Sequence, residues 1–228
     1  MKINSKRQFK DALYEQFARI GKALANPHRL ELLDLLAQGE RTVEELAREA
    51  NLPIANASQH LQALRAAQLV KVRRVGLYAF YRLADEQVFR VWQAFRALGE
   101  LQLAEINRLV QTFLQDRSPL QLISAAELRQ RMEEGSVLVL DVRPEVEYRA
   151  GHLPNARSIP IEELESRLHE LPREQEVVAY CRGPYCLFAD EAVTLLQNHG
   201  YRARRLLEGL PDWQVLDLPV VSEIGEVP

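Results

Sequence analysis

Two cysteines, Cys181 and Cys186, are the only thiols in this chain of 228 residues, and they stand at the two ends of one short segment, CRGPYC. The segment follows EVVAY, an apolar run that predicts a buried strand, and precedes a helical pattern from about Leu187 to Asn198. A strand end that feeds a helix N-terminus gathers backbone amides where the helix dipole favours negative charge. Cys181 is expected there as a thiolate of lowered pKa, a nucleophile at neutral pH, with Arg182 adding to the effect. The alternative is a buried structural cysteine, for which a Gly-Pro loop at a strand end is a poor setting.

The elements that must position this segment alternate strand with helix. Ser124 and Glu127 predict a capping box for a helix ending near Gly135, and VLVLDV reads as a second buried strand. Strand alternating with helix predicts an α/β domain with a parallel sheet. Before it, residues 116–119 are polar and turn-prone, a linker. The expected division is 1–115, a linker at 116–119, and 120–228.

The first half reads as helix after helix. Asn26 and Pro27 form an N-cap and N1 pair ahead of Leu30, Leu33, Leu35 and Leu36, and Gly39 stops that helix. Thr42 with Glu45 predicts a capping box opening a short helix through Ala50. After a turn at Asn51, Pro53 can start another helix in which Ala57, Leu61 and Leu64 pack inward. VKVRR and LYAFYRL around Gly76 predict a β-hairpin. A long helix is expected from Asp85 to Phe113, with Trp92, Phe95, Leu98, Ile106, Leu109 and Phe113 along one side. Two copies of the chain could hide that stripe from water; the alternative is a core helix packed on the second half.

Two short helices joined by a tight turn and followed by a hairpin make a mainly-α winged helix-turn-helix. With Ala57, Leu61 and Leu64 inward, Gln59 and Gln62 point out, flanked by Asn56, Ser58 and His60. Amides and hydroxyls suit base edges in the major groove, and Arg65, Lys71, Arg73 and Arg74 suit phosphates. The alternative is a merely solvated helix face.

The ordered stretches ANPHRLELLDLL, VEELAREANLPIANASQHLQALRAAQLVKVRR and AFYRL resemble the ArsR/SmtB family of bacterial winged-helix repressors over roughly residues 15–113. The resemblance implies a homodimer held by its terminal helices on a palindromic double-stranded DNA operator. The hairpin tip, Val75-Gly76-Leu77, departs from a basic wing. Metal or thiol sensing inside this half is not expected: it holds no cysteine, and His28 and His60 are expected far apart.

The string SAAELRQRMEEGSVLVLDVRPEVEYRAGHLPNARSIP, then VVAYCRGPYC, then GYRARRLLEGLPDW resembles a complete rhodanese domain, residues 120 to about 217. The resemblance implies that Cys181 takes sulfur from a sulfane-sulfur donor as a persulfide and passes it to a thiol acceptor. The amides of residues 182–186, Gly183 and Tyr185 included, would cradle that anion. Asp141 and Arg143 would order the neighbouring loops, and His152 would hold a turn. Cys186 stands where many rhodaneses have Arg. Its thiolate could attack a persulfide on Cys181, closing a disulfide or polysulfide bridge, or it could simply fill space. The rival phosphatase or arsenate-reductase chemistry needs an Arg six positions after the cysteine, and position 187 is Leu.

Composition agrees with two ordinary globular domains: 47% hydrophobic, 27% charged. Residues 1–117 carry 18 Lys and Arg against 13 Asp and Glu, whereas residues 118–228 carry 11 against 19, so the first half suits a polyanion. Two cysteines, the lack of an apolar leader and the lack of a membrane-length apolar run predict a cytoplasmic protein without a membrane partner. No cofactor is expected. The function expected is a DNA-binding regulator whose second domain carries or senses sulfane sulfur on Cys181. The alternative is a sulfurtransferase with an uncoupled, autoregulatory DNA-binding domain.

Overall fold

The computed structural model describes residues 3–114 and 120–223; the expected linker at residues 116–119 lies outside them. The chain divides into two compact units, Met1–Trp92 and Gln93–Pro228.

In the first unit, α1 (Ile3–Leu24) precedes α2 (Pro27–Leu36), whose N-cap Asn26 accepts a hydrogen bond from the Arg29 amide. A short strand β1 (Arg41–Thr42) runs into α3 (Val43–Glu49), and both halves of the Thr42–Glu45 capping box are formed. Pro53 caps α4 (Ile54–Ala66) from outside rather than occupying its first turn, its carbonyl receiving the Asn56 and Ala57 amides. Ala57, Leu61 and Leu64 are fully buried, and Leu61 and Leu64 share a core with α2 and α3 residues such as Leu32, Leu33 and Leu46. The hairpin β2 (Val70–Val75) and β3 (Tyr78–Leu83) turns at Gly76, whose φ of 58° lies in the left-handed region glycine adopts freely, and β1 adds to its edge to give the order β1-β3-β2.

The long helix expected from Asp85 to Phe113 is two helices, α5 (Glu86–Gln102) and α6 (Ala104–Phe113), broken where Leu103 is extended. The break returns the chain so that Ile106 rests on Gly99; a Cβ at Gly99 would stand 3.0 Å from the Ile106 side chain. A side chain there would have to displace Ile106, so the glycine makes the close approach possible.

The second unit is built on a parallel sheet of order β5-β4-β6-β7, from β4 (Val137–Asp141), β5 (Arg157–Ser158), β6 (Glu176–Tyr180) and β7 (Ala203–Arg205). The helices α7 (Ala125–Glu133), α8 (Glu145–Ala150), α9 (Ile161–Arg167), α10 (Phe188–Asn198) and α11 (Leu210–Val215) complete it. Only half of the expected capping box of α7 forms: Ser124 accepts from the Glu127 amide, while the Glu127 carboxylate pairs with Arg204 instead. Side chains alternate across the sheet with period two. Val177, Ala179 and Cys181 enter one core with α9 and α10, and Val178 and Tyr180 enter the other with α7 and α11. The carboxyl ends of the strands therefore present two distinct polar sites, one on each face.

Candidate active site and nucleic-acid interface

Cys181 continues the alternation of β6 by one residue, and that places it. It is 2% exposed, beneath α10, and not at the mouth of the loop where an attacking thiolate was expected. Burial pushes its thiol well above the ordinary value, and the hydrogen bond to the Cys186 side chain adds to this. Cys186 is partly exposed and carries the lowered pKa, down to about 7, because the Cys181 thiol donates to it and the amides of Arg182 and Phe188 also face its sulfur, with the Arg182 charge nearby. Burial thus favours the protonated form at Cys181, and negative charge is the more readily placed on Cys186. Desolvation decides this, since a charge costs most where water is most excluded.

The loop is shaped from below by Arg205, a residue that sequence reading did not single out. Its guanidinium, 1% exposed, donates to the carbonyls of Gly183 at 3.0 Å and of Pro184 and Cys186 at 3.4 Å, and it pairs with Asp190. Three loop carbonyls accordingly point inward. The amides that reach the sulfurs come from Arg182 and from Phe188 and Ala189 at the start of α10, a narrower set than the expected cradle of residues 182–186. Arg205 could have been found from register: it pairs with Ala179 across β6 and β7 and shares the face of Ala203, hence of Cys181.

Gly183 has φ 157°, open to glycine and costly for other residues. Gly209, at the N-cap of α11, is required for space instead: a Cβ there would fall 2.1 Å from the Arg182 carbonyl oxygen and 2.7 Å from the Gly183 nitrogen. Asp212 receives the Gly209 amide and, on its other oxygen, Gln93 and Arg96 of α5 at 2.8 Å each. Tyr185, at the exposed tip of the loop, donates its hydroxyl to Glu100.

Asp141 and Arg143 lie on the opposite face as a fully buried pair. Arg143 donates to both Asp141 oxygens and to the Gly151 carbonyl, and Tyr180 donates to Asp141 while receiving the Leu153 amide. Burial beside Asp141 holds the Tyr180 phenol protonated. Glu147, buried, accepts from Arg182 and thereby ties this network to the cysteine loop. His152 bonds the Tyr148 carbonyl at 2.8 Å and stacks on the Tyr148 ring, the turn role expected of it.

In the first unit Asn56, Gln59, Gln62 and Arg65 of α4 are exposed, with Ser58 and His60 half-buried. Lys71, Arg73 and Arg74 of the hairpin are exposed, but Arg73 is held by Glu40 and lies over the Phe80 ring. His28 and His60, expected far apart, stand with ring centroids 5.5 Å apart because α2 packs on α4. Partial burial first, and then His28 and Arg29, lower the His60 pKa, which keeps that imidazole neutral. Among the described residues no three His, Cys, Asp or Glu side chains cluster in a way that could hold a metal.

Of the expected apolar stripe, Phe95, Leu98, Leu109 and Phe113 are exposed. Trp92 is half-buried with its indole N–H on Asp34, and Ile106 covers Gly99. A second exposed face, missed in the sequence, runs along α1 through Phe9, Leu13, Tyr14, Phe17 and Ile20. Its three- and four-residue spacing was the available signal.

Residues 124–216 match the family of rhodanese-like domains, and residues 24–73 match a helix-turn-helix domain family. The chain is 45% identical over 211 residues to the HTH-type transcriptional regulator Rv0324 of Mycobacterium tuberculosis, covering 92% of each. It is 31% identical over 104 residues to a sulfurtransferase of Allochromatium vinosum, which spans 45% of this chain and 96% of that one. A solved homodimeric winged helix-turn-helix DNA-binding domain of Mycobacterium bovis is 47% identical, with 41% of this chain and 87% of that chain covered and a TM-score of 0.40.

The packing at Gly209 leads to a specific expectation. Gly209→Ala displaces the loop backbone and costs about 2–3 kcal/mol of stability, read as a lower denaturant midpoint. An unchanged midpoint would show that α11 can step back from the loop at no cost.

Proposed function

The chain belongs to the HTH-type transcriptional regulators of ArsR/SmtB type and carries a C-terminal rhodanese-like domain; we propose that it is a homodimeric repressor whose operator binding responds to sulfane sulfur held as a persulfide on Cys181. The observation that carries this reading is the intact loop. Two free cysteines at the two ends of one loop sit beside the N-terminal amides of α10, in the same chain as a DNA-binding module. A persulfide is more acidic than a thiol, and the Ala189 amide together with Arg205 beneath the loop offsets part of the cost that burial places on negative charge at Cys181. The likeness to a sulfurtransferase supports sulfur handling and equally favours the second reading, a sulfurtransferase uncoupled from DNA binding.

On the DNA side, Gln59 and Gln62, flanked by Asn56, Ser58 and His60, would face the major groove, and a neutral His60 can both give and accept a hydrogen bond there. Arg65, Lys71 and Arg74 would meet phosphates, with Arg73 doing so only when it leaves Glu40. The exposed apolar faces of α1 and of Phe95, Leu98, Leu109 and Phe113 supply the surface that a second copy would cover.

A gel shift on the operator with and without polysulfide should change affinity by about fivefold or more in the wild type, and not in Cys181→Ser. An unchanged wild-type shift would leave the uncoupled sulfurtransferase. Gln59→Ala should weaken the cognate site by about 1–3 kcal/mol and relax specificity there, whereas Lys71→Ala should weaken all sequences alike and reduce the salt slope by about 1; equal effects of the two substitutions would misplace the reading face. Light scattering at micromolar concentration should give twice the chain mass, and a monomer mass would remove the role assigned to the exposed faces.

A further inference from the structure

Resting on the sulfur uptake proposed above, we propose that Cys186 is the entry thiol of the loop: it takes the sulfane sulfur from the donor and passes it inward to Cys181. The argument begins with access. Cys181 is 2% exposed, packed among Ala179, Ala189 and Val193 under α10, and its thiol is turned toward the carbonyls of Gly183 at 3.9 Å and Cys186 at 3.6 Å. A donor persulfide brings a carbon chain behind its sulfur, and the loop would have to open before that sulfur could meet Cys181. Cys186 is the partly exposed member of the pair, at the end of the loop that runs into α10, with the amides of Arg182 and Phe188 on its sulfur.

The Cys181 sulfur lies 3.6 Å from the carbonyl oxygen of Cys186 itself, so the second step is a transfer between neighbouring residues within one loop. In the first step the Cys186 thiolate attacks the outer sulfur of a donor persulfide, R–S–SH. A bond from Cys186 to that sulfur forms, the donor's S–S bond breaks, and the donor leaves as the thiolate RS⁻ with the electron pair. In the second step the Cys181 sulfur attacks the same outer sulfur of Cys186–S–SH. The new Cys181–S bond forms and the Cys186–S bond breaks, with its electron pair going to Cys186. The proton of the Cys181 thiol goes to the departing Cys186 sulfur. The products are Cys181–S–SH and the Cys186 thiol, with no net oxidation. The direction follows from burial, since sulfur held on Cys181 is enclosed by the loop and α10, away from competing thiols in solvent.

This order differs from the one the rhodanese resemblance implied, in which Cys181 loads by itself and Cys186 either attacks afterwards or simply fills space. It also gives Cys186 a task where many rhodaneses carry Arg: an anion-binding cation is replaced by a second sulfur carrier.

The test treats the full-length wild type, Cys186→Ser, Cys186→Ala and Cys181→Ser with glutathione persulfide, quenches with an alkylating agent over time, and locates added sulfur by peptide mass. Cys181→Ser should retain the sulfur on Cys186. Both Cys186 variants should load Cys181 at least about tenfold more slowly than the wild type. Loading of Cys181 at the wild-type rate in both Cys186 variants, or a Cys181→Ser protein that takes up no sulfur, would overturn the relay while leaving uptake by the domain standing. A wild type that takes up none would overturn uptake and relay together.

Discussion

A guanidinium removed from water must have its N–H groups met by protein acceptors, and Arg205 imposes that demand on everything above it. The acceptors it finds are the carbonyls of Gly183, Pro184, Cys186 and Leu206 together with the Asp190 carboxylate. A loop whose carbonyls are drawn downward cannot also turn all its amides toward one sulfur. The stabilisation of negative charge is therefore shared between Arg205 itself, the first turn of α10 and the single amide of Arg182. Removing one member of such a buried set leaves the others uncompensated, a loss of about 3–5 kcal/mol. The loop is accordingly held from its floor, and Tyr185 to Glu100 and Arg182 to Glu147 tie its rim.

The other face of the sheet repeats the logic with different groups. Asp141, Arg143 and Tyr180 bond one another, with Glu147 3.9 Å from Arg143, and fix the loops after β4, including the Gly151 carbonyl and the Leu153 amide. Arg182 belongs to both sides, bound to Glu147 while its amide faces the Cys186 sulfur. Its charge is thus placed by Glu147, which stands 3.9 Å from Arg143 of the opposite network.

Local signals were legible in the sequence because their physics is local. The Asn26 and Thr42 caps, the inward set Ala57, Leu61 and Leu64, the hairpin at Gly76 and the buried strands of a parallel sheet each depend on residues within one or two turns of one another. What escaped required contacts between distant segments. His28 and His60 meet only because α2 lies on α4, Arg205 reaches the cysteine loop only through the register of β7 on β6, and Ile106 meets Gly99 across the break at Leu103. The burial of Cys181 is an intermediate case. Its strand-end position was read as an exposed nucleophile's place, whereas the parity of Val177, Ala179 and Cys181 already assigned it to a core face.

That parity has a consequence for which changes of chain length this domain can absorb. Tyr180 and Cys181 are adjacent in sequence yet belong to opposite faces, each to its own set of partners. One residue inserted or deleted within β6 would present the phenol to Arg205 and the thiol to Asp141, dismantling both sites in a single event. Residues 172–175, outside the sheet and mostly exposed, carry no such phase. Length variation among descendants of this sequence should collect there and spare β6, so the spacing from Glu176 to Cys186 is a stricter marker of a working site than the identity of most residues within it.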